Sequence, residues 1–326
     1  VIRVSDVHRS LGIDIGGTFI KIAVVWNDGR VVRSTQIPTD AASGPEPAAA
    51  RILAAARGLM ADEGLTAAEM RAVGMDSAGI IDAERNLVLD APNLRAWENQ
   101  PLAARLAAAF GVPVFLENDV NAMVYGEWCC GAGRGTRHLL GLTLGTGVGG
   151  GLVLDGRLYR GARGAAGEVG HVSVNRFGPR CNCGSYGCVE RYVGAAHIVD
   201  RALEALARDA RPSRLRDRAA QELTPHLLSE AAEAGDAVAA EVLEETGIWL
   251  GVALAGLVNV LNPERIVVGG GVAQAGELIL GPARRTLRER AMQVPGGAVD
   301  IVPAALGNDA AVVGAALLAL ARAREP

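Results

Sequence analysis

Lysine is almost missing from this chain of 326 residues: Lys21 is the only one, and arginine supplies the rest of the 32 basic side chains. No block of like charge makes up for it. The 32 basic residues stand against 36 acidic ones, for a formal charge of −4, and the Arg-rich stretch Arg201–Arg218 is interleaved with acids. A balanced, mildly acidic chain carries no electrostatic footprint for nucleic acid, and that stretch reads as the solvated face of helices. No apolar run reaches the ~18 residues of a membrane span, and the first residues have no signal-peptide core. Cysteine is sparse and odd in number: five, three of them within Cys181–Cys188. In a chain of this size that argues against a disulfide framework and for a metal site in a reducing compartment. What remains is 50% hydrophobic and 21% charged, enough for a sizeable core and too apolar for disorder. The length fits two domains of about 150 residues. The expectation is a cytoplasmic α/β protein with neither nucleic-acid nor membrane partners.

The chain contains an internal echo. Leu11-Gly-Ile-Asp-Ile-Gly-Gly-Thr18 leads into the apolar run Ile20–Trp26 and the turn Asn27-Asp28-Gly29-Arg30. Leu140-Gly-Leu-Thr-Leu-Gly-Thr-Gly147 leads into Gly151-Leu-Val-Leu and the turn Asp155-Gly156-Arg157. Each copy reads as strand, glycine turn, strand and Asp-Gly hairpin turn. Agreement of register through both turns points to duplication and so to two similarly folded lobes. Between the copies the pattern predicts a helix over 47–62, a strand over 71–81, a helix over 101–110, a strand over 112–116 and a helix over 119–130. Beyond the second copy it predicts a Gly/Cys-rich loop over 161–187, a helical region over 193–260, a strand over 265–268 and a terminal helix over 310–323.

A strand that stops at a glycine pair exposes backbone N–H groups that phosphate can approach. Asp14-Ile-Gly16-Gly17-Thr18 adds a carboxylate, compatible with phosphate that carries Mg²⁺, and Lys21 lies three residues on, within reach of a phosphate. Gly145-Thr146-Gly147 supplies the second turn, with Thr143 where the first copy has Asp14. The spacing Gly145-x-Gly147-x-x-Gly150 is formally a dinucleotide fingerprint, but that motif needs a helix to begin at the glycines. Here a hairpin strand follows, and no Walker loop occurs anywhere. Two glycine turns, one beside an acid and one neutral, suit opposite ends of a polyphosphate.

Asp14-Ile-Gly-Gly-Thr18, Glu117-Asn-Asp119, Leu144-Gly-Thr-Gly-Val-Gly-Gly150, Glu168-Val-Gly-His171 and Cys181-Asn-Cys-Gly-Ser-Tyr-Gly-Cys188 follow one another in this order. Together they resemble the ROK family of bacterial sugar kinases and sugar-responsive repressors, within the actin/hexokinase-like superfamily. The resemblance covers the chain from about Leu11. It implies an α/β fold of two duplicated, ribonuclease H-like lobes around a central cleft, with ATP and a sugar between them, and a homodimer or homotetramer. The expected boundaries are a small lobe over 1–119, completed by the C-terminal helix 309–326, and a large lobe over 120–308.

Cys181-x-Cys183-x₄-Cys188 offers three thiolates amid turn formers. A metal is favoured over buried free thiols or a redox cluster, and zinc asks for a fourth ligand. His171 is the nearest histidine, and the resemblance matches all four residues to a closed, structural zinc site. Cys129-Cys130, in a predicted helix, reads as packing.

Glu117-Asn118-Asp119 lies where a strand ends and a helix begins. Capping is the stronger reading of the residues alone. The resemblance reverses this: Asn118 and Asp119 would bind the sugar, with Asp119 as catalytic base. It further implies that Glu168, His171 and Glu190 bind sugar hydroxyls, His171 using one ring nitrogen for zinc and the other for sugar. Gly79 and Asn93 match its sugar side more loosely, because Ala78 and Arg95 stand where the family has proline. Gly269-Gly270-Gly271 resembles its adenosine-side loop. Both phosphate turns are expected to lie far from the zinc loop.

The implied reaction is ATP-dependent phosphorylation of a hexose, glucose first, with N-acetylmannosamine, N-acetylglucosamine, fructose or allose as alternatives. A non-catalytic sugar-sensing regulator is the rival from another class. Such regulators carry a helix-turn-helix before the first glycine turn, where only ten residues precede Leu11. Asp14 and Asp119 are both present, as a kinase needs.

Overall fold

The structure is a computed structural model that describes residues 8–91, 94–208 and 210–324. It divides into two compact units, one comprising Val1–Gly135, Arg157–Ala166 and Ala305–Pro326, the other Thr136–Gly156 and Gly167–Ala304.

In the first unit β1 (Arg9–Ile15), β2 (Phe19–Trp26) and β3 (Val31–Pro38) form an antiparallel meander, and β4 (Met70–Ser77) and β7 (Val114–Asn118) add in parallel. The order is β3-β2-β1-β4-β7; β5 (Ile80–Asp82) and β6 (Leu87–Asp90) form a separate hairpin, and Arg157–Tyr159 is a short strand, β10. Strand alternation sorts the two faces. Leu11, Ile13, Ile20, Ile22, Val73 and Met75 join one core with Ile52 of α1 (Pro45–Asp62) and Leu106 of α2 (Leu102–Phe110). Ala23 and Val25 turn the other way, onto Val312, Val313 and Ala316 of the C-terminal helix α10 (Ala310–Arg322).

That second face works because it is nearly bare. Gly12 and Gly74 lie so close to α10 that a Cβ would overlap the carbonyls of Val312 and Ala315. Gly126 of α3 (Asp119–Cys130) meets Ala310 in the same way, with its would-be Cβ 2.6 Å from the carbonyl. Close backbone packing therefore holds α3 to α10 and keeps it in the first unit. The expected boundary at 119/120 moves to 135/136 for this reason, the return at 308/309 moves to 304/305, and 157–166 joins the first unit. Glu127 fixes the point of return: fully buried on α3, it accepts backbone N–H groups from Ala132, Ala305 and Leu306 at 2.7–3.1 Å.

The second unit repeats the plan. β8 (Leu139–Leu144) pairs antiparallel with β9 (Val148–Leu154) and parallel with β11 (Arg265–Gly269), which pairs parallel with β12 (Asp300–Pro303). The order β9-β8-β11-β12 thus mirrors β2-β1-β4-β7 in direction as well as position. The duplication extends to single residues: Thr143 pairs with Gly149 and Gly269 where Asp14 pairs with Lys21 and Asp76. Asp155 and Gly156 both adopt positive φ, 52° and 71°, as the expected hairpin turn requires. Helices α4 (Glu190–Val193), α5 (Ala195–Arg208), α6 (Pro225–Glu233), α7 (Ala237–Leu261), α8 (Glu277–Arg290) and α9 (Gln293–Ala298) complete the unit.

Only the first part of the Arg-rich stretch is a helix face, since Arg201–Arg208 lies in α5. α5 ends at Arg208, and Arg216 beyond it donates to the carbonyls of Leu206 and Arg211. Arg201 is mostly buried and holds the Tyr192 carbonyl and the Thr246 hydroxyl. Arg216 thus fastens the loop after α5, and Arg201 ties α5 to α4 and α7. Among the described residues no helix is long and apolar enough to cross a membrane.

Substituting Gly74→Ala is expected to lower the unfolding free energy by about 1–3 kcal/mol, because α10 must move away from the sheet. Denaturant titration against the wild type reads this directly. An unchanged midpoint would mean that α10 does not depend on the bare strand face.

Candidate active site

The parallel strands of the first unit end together, and the residues at their carboxyl edge stand abreast. Lys21 pairs with Asp14, Asp14 with Asp76, and Asp76 with Glu117, one row across four strands. The row continues the face that Gly12 and Gly74 leave open to α10. Carboxyl ends of strands are where α/β sheets offer room for a ligand.

Each member is handled differently. Glu117 is 5% exposed, and its Oε2 accepts from Arg160 Nε at 2.7 Å and Nη2 at 2.6 Å. Its other oxygen accepts from Asn118 N and Asn121 Nδ2, both at 3.1 Å. Asp14 is raised above its ordinary value by burial, with a hydrogen bond from Asp76 and then the Lys21 charge pulling the other way. Asp76 is completely buried, and its hydrogen-bonding neighbour is the Asp14 carboxyl on the adjacent strand. Burial first, and then the Asp14 charge beside it, push Asp76 well above the carboxylate range, so it is carried as a neutral acid.

Lys21 donates to the Asn308 carbonyl at 3.1 Å and pairs with the Asp309 carboxylate. Reaching a phosphate would require it to break that pair.

β7 passes directly into α3, and the capping reading of Asn118 holds. Asn118 is the N-cap: its Oδ1 accepts from Val120 N and Asn121 N at 3.0 Å. Its Nδ2 donates to Asp119 Oδ1 and to the Gly79 carbonyl, each at 3.0 Å. One amide therefore caps the helix and aims the acid beside it. Gly79 sits at φ 109°, where a Cβ would strike the Asp90 carbonyl. Asp119 is raised above its ordinary value chiefly by burial, opposed by the Val120 N–H and reinforced by the Asp14 charge. A raised carboxylate at a strand end fits a general base. Asn93 lies outside the described residues.

Two glycine turns are present as expected, one per unit. In the first, Gly16 N donates to Phe19 O at 3.0 Å, and Gly17 and Thr18 are exposed with open space at Gly17. In the second, Gly145 N donates to Gly147 O at 2.9 Å, with Thr146 exposed and open space at Gly145. Gly270, at φ 92°, packs on Leu144 at the end of β8, so Gly269-Gly270-Gly271 lies beside the second turn.

The second unit also gathers His171, Cys181, Cys183 and Cys188, whose ligand atoms all lie within 4.8 Å of one another. Cys183 Sγ is 3.7 Å from Cys188 Sγ, and Cys181 Sγ is 3.7 Å from His171 Nδ1. Zinc–sulfur bonds of about 2.3 Å in a tetrahedron place ligand atoms roughly 3.8 Å apart, so the donor set fits that ion. Burial pushes the Cys188 thiol up to about 12, a penalty that a cation would offset. The Ser185 backbone N–H lowers that of Cys183. His171 turns its other nitrogen, Nε2, to within 4.0 Å of Glu168 Oε2. Cys129 and Cys130 are half-buried, with thiols raised by burial to about 12 and about 11, which suits packing and not chemistry.

Sequence reasoning missed Asp76 and Arg160. Asp76 had a signal: an acid in the middle of a buried strand, in phase with Gly74. Arg160 had none, because its partner Glu117 is 43 residues away. Glu190 differs from expectation in what it touches. Its Oε2 accepts from Val148 N at 3.0 Å and lies 2.6 Å from where a Gly147 Cβ would be, so it backs the second glycine turn.

Comparison with known proteins supplies independent findings. The model of the ROK family matches residues 10–322. The glucokinase of Thermotoga maritima is 37% identical over 310 residues, covering 94% of this chain and 96% of its own. The crystal structure of a ROK family glucokinase from Streptomyces griseus in complex with glucose and AMPPNP matches with a TM-score of 0.80 at 36% identity, over 96% of this chain and 99% of that one. A ROK family transcriptional regulator, a homolog of the E. coli MLC protein, matches with a TM-score of 0.85 at 27% identity, over 97% of this chain and 78% of that one.

Asp76 holds its proton more tightly folded than unfolded. Its contribution to stability is therefore present at low pH and is lost as pH rises from the ordinary value of 3.8 toward the raised one. Asp76→Asn has no charge to bury. It should raise the melting temperature, and by more near about pH 8 than near about pH 4.5. A gain independent of pH would remove the buried acid from the row.

Proposed function

The chain belongs to the ROK family, and on that footing we propose that it is an ATP-dependent glucokinase, converting glucose and ATP to glucose 6-phosphate and ADP. The observation that carries this reading is Asp119, raised by burial and aimed by Asn118 at the carboxyl edge that also holds Asp14. Glucokinase relatives at this level of identity support glucose over the other hexoses. The Asp14–Asp119 pair favours a kinase over a sugar-sensing regulator.

In the reaction the sugar 6-hydroxyl gives its proton to Asp119 as its oxygen bonds to the γ-phosphorus. The bond from that phosphorus to the bridging oxygen breaks, and its electrons leave with ADP. Positioning and charge neutralisation supply most of such catalysis. The N–H groups of Gly16–Thr18 and of Gly145–Gly147 cradle the phosphates, with Gly269–Gly271 toward the adenosine. Mg²⁺ supplies neutralisation of the phosphoryl oxygens when bound, and Asp14 is the carboxylate suited to hold it. Asp76, kept neutral, spares the row a further negative charge. Glu168, Glu190, Asn118 and the Nε2 side of His171 would receive sugar hydroxyls, with Gly79 on that side.

His171, Cys181, Cys183 and Cys188 would hold Zn²⁺, which supplies a closed structural cross-link. Five free cysteines support a cytoplasmic location. The resemblance supports a homodimer or homotetramer.

Asp119→Asn keeps the cap and the size of the side chain but cannot take a proton. Its turnover should fall at least the ~10²-fold typical of a lost general base, with glucose affinity retained. Coupled ADP release and calorimetric glucose titration measure the two separately. Turnover near wild type would return Asp119 to a purely structural place in α3.

Metal analysis of the purified protein should find about one zinc per chain, and Cys183→Ser should lose it along with about 10–100-fold in glucose affinity. A zinc-free native protein would remove the site. A zinc-free variant with normal glucose affinity would remove its link to the sugar.

A further inference from the structure

The helix α4 is four residues long, too short to hold its own shape or direction. Its two ends are fixed from outside. At the start, Arg191 N donates to Cys188 O at 3.0 Å and Val189 N to Val172 O at 3.0 Å, tying α4 to the Cys/His cluster. At the far end, Ala195 N donates to Gly145 O at 2.9 Å, within the second glycine turn. Glu190, the first residue of α4, spans the gap between them. Its Oε2 accepts from Val148 N at 3.0 Å, directly behind Gly145–Gly147. Gly147 has no side chain to occupy the place that carboxylate takes, 2.6 Å from its would-be Cβ. Glu190 Oε1 accepts no hydrogen bond among the described residues, which leaves it for a ligand.

A carboxylate assigned to the sugar by resemblance is thus bonded, in the ligand-free chain, to the backbone of the phosphate turn. We propose that Glu190 is a positioning residue for nucleotide binding: it sets the second glycine turn and transmits the state of the Cys/His cluster to it. This rests on the reading of Gly145–Gly147 as a phosphate cradle. A turn built of glycines has little conformational preference of its own, so an outside anchor decides whether its N–H groups converge. Of the four residues from Gly145 to Val148, the carbonyl of the first and the N–H of the last are the ones α4 and its C-terminal neighbour hold. Loss of order in the cluster would release α4 at one end and the turn with it. The expectation that both phosphate turns lie far from the zinc loop then fails for the second, which α4 links to it.

The test is calorimetric titration of the intact protein with a non-hydrolysable ATP analogue and Mg²⁺, with no sugar present, so that a lost sugar contact contributes nothing. Glu190→Ala should bind the nucleotide roughly 10-fold more weakly or worse, the size of a lost hydrogen bond to a charged group. Glu190→Gln, whose amide oxygen can still accept from Val148 N, should recover most of the affinity. Glu190→Asp, charged but too short, should not. Cys183→Ser should weaken the nucleotide to a similar extent, and adding Glu190→Ala to it should cost little more, since both act through one strut.

Gly145→Val is the control for the cradle itself and should abolish binding. Wild-type nucleotide affinity in Glu190→Ala, with Gly145→Val unable to bind, overturns the role of Glu190 and leaves the cradle standing. Wild-type affinity in Gly145→Val overturns the cradle, and this proposal with it. Equal losses in Glu190→Gln and Glu190→Ala would overturn the hydrogen bond as the means. If Glu190→Ala does not fold, Glu190→Gln and Glu190→Asp decide between them.

Discussion

Acids crowded side by side on neighbouring strands govern the chemistry of the first unit. Asp14, Asp76 and Glu117 occupy successive strands in one register, and three ionised carboxylates at that spacing would repel one another strongly. The fold resolves this in three ways. Glu117 is neutralised by Arg160, Asp76 is buried deeply enough to keep its proton, and Asp14 keeps Lys21 beside it. What is left facing ligand is a modest negative charge, beside an Asp119 whose own carboxyl is raised. That balance suits a site which must receive a polyanion and take up a proton in the same event.

The second unit uses the same strands for the opposite purpose. Where the first has Asp14 against Asp76, the second has Thr143 against Gly269. Duplication gave two equivalent strand edges, and substitution made one acidic and the other neutral. The Cys/His cluster and α4 belong to the second copy alone. Its turn is thereby held by the Glu190 carboxylate, whereas the first turn is held by Thr39, whose hydroxyl donates to Gly16 O at 2.6 Å.

Most of this architecture could be read before any coordinates. The strands β1, β2, β4, β7, β8, β9 and β11, both glycine turns, the Asp-Gly hairpin turns and the helices expected over 47–62 and 119–130 follow from local pattern, because period and turn chemistry act over a few residues; β12 and the β5–β6 hairpin did not. The donor set of the cluster was legible too, since three of its members lie within eight positions. The boundary between units was not. It depends on how closely α3 approaches α10, decided by Gly126 and by glycines of β1 and β4 that carry no sign of their partner. Arg160 and the Val148 contact of Glu190 were hidden for the same reason: each is a side chain meeting something more than 40 residues away. Beyond Arg208 the Arg-rich stretch misled, because composition reports charge but not where a guanidinium points.

The first unit is made from stretches that precede and follow the second along the chain, and this sets an order of events during synthesis. β1 through α3 emerge early, but the face bearing Gly12 and Gly74 has no cover until Ala310–Arg322 has been made. At roughly 5–20 residues per second, the intervening stretch from 136 to 304 takes some tens of seconds at the slower end. The second unit, continuous apart from one short excursion, is complete before the ribosome reaches α10. The half that begins first therefore closes last, and the growing chain carries an uncapped sheet face in the meantime. Such a surface invites chaperones or misassembly, and the final thirteen-residue helix removes it.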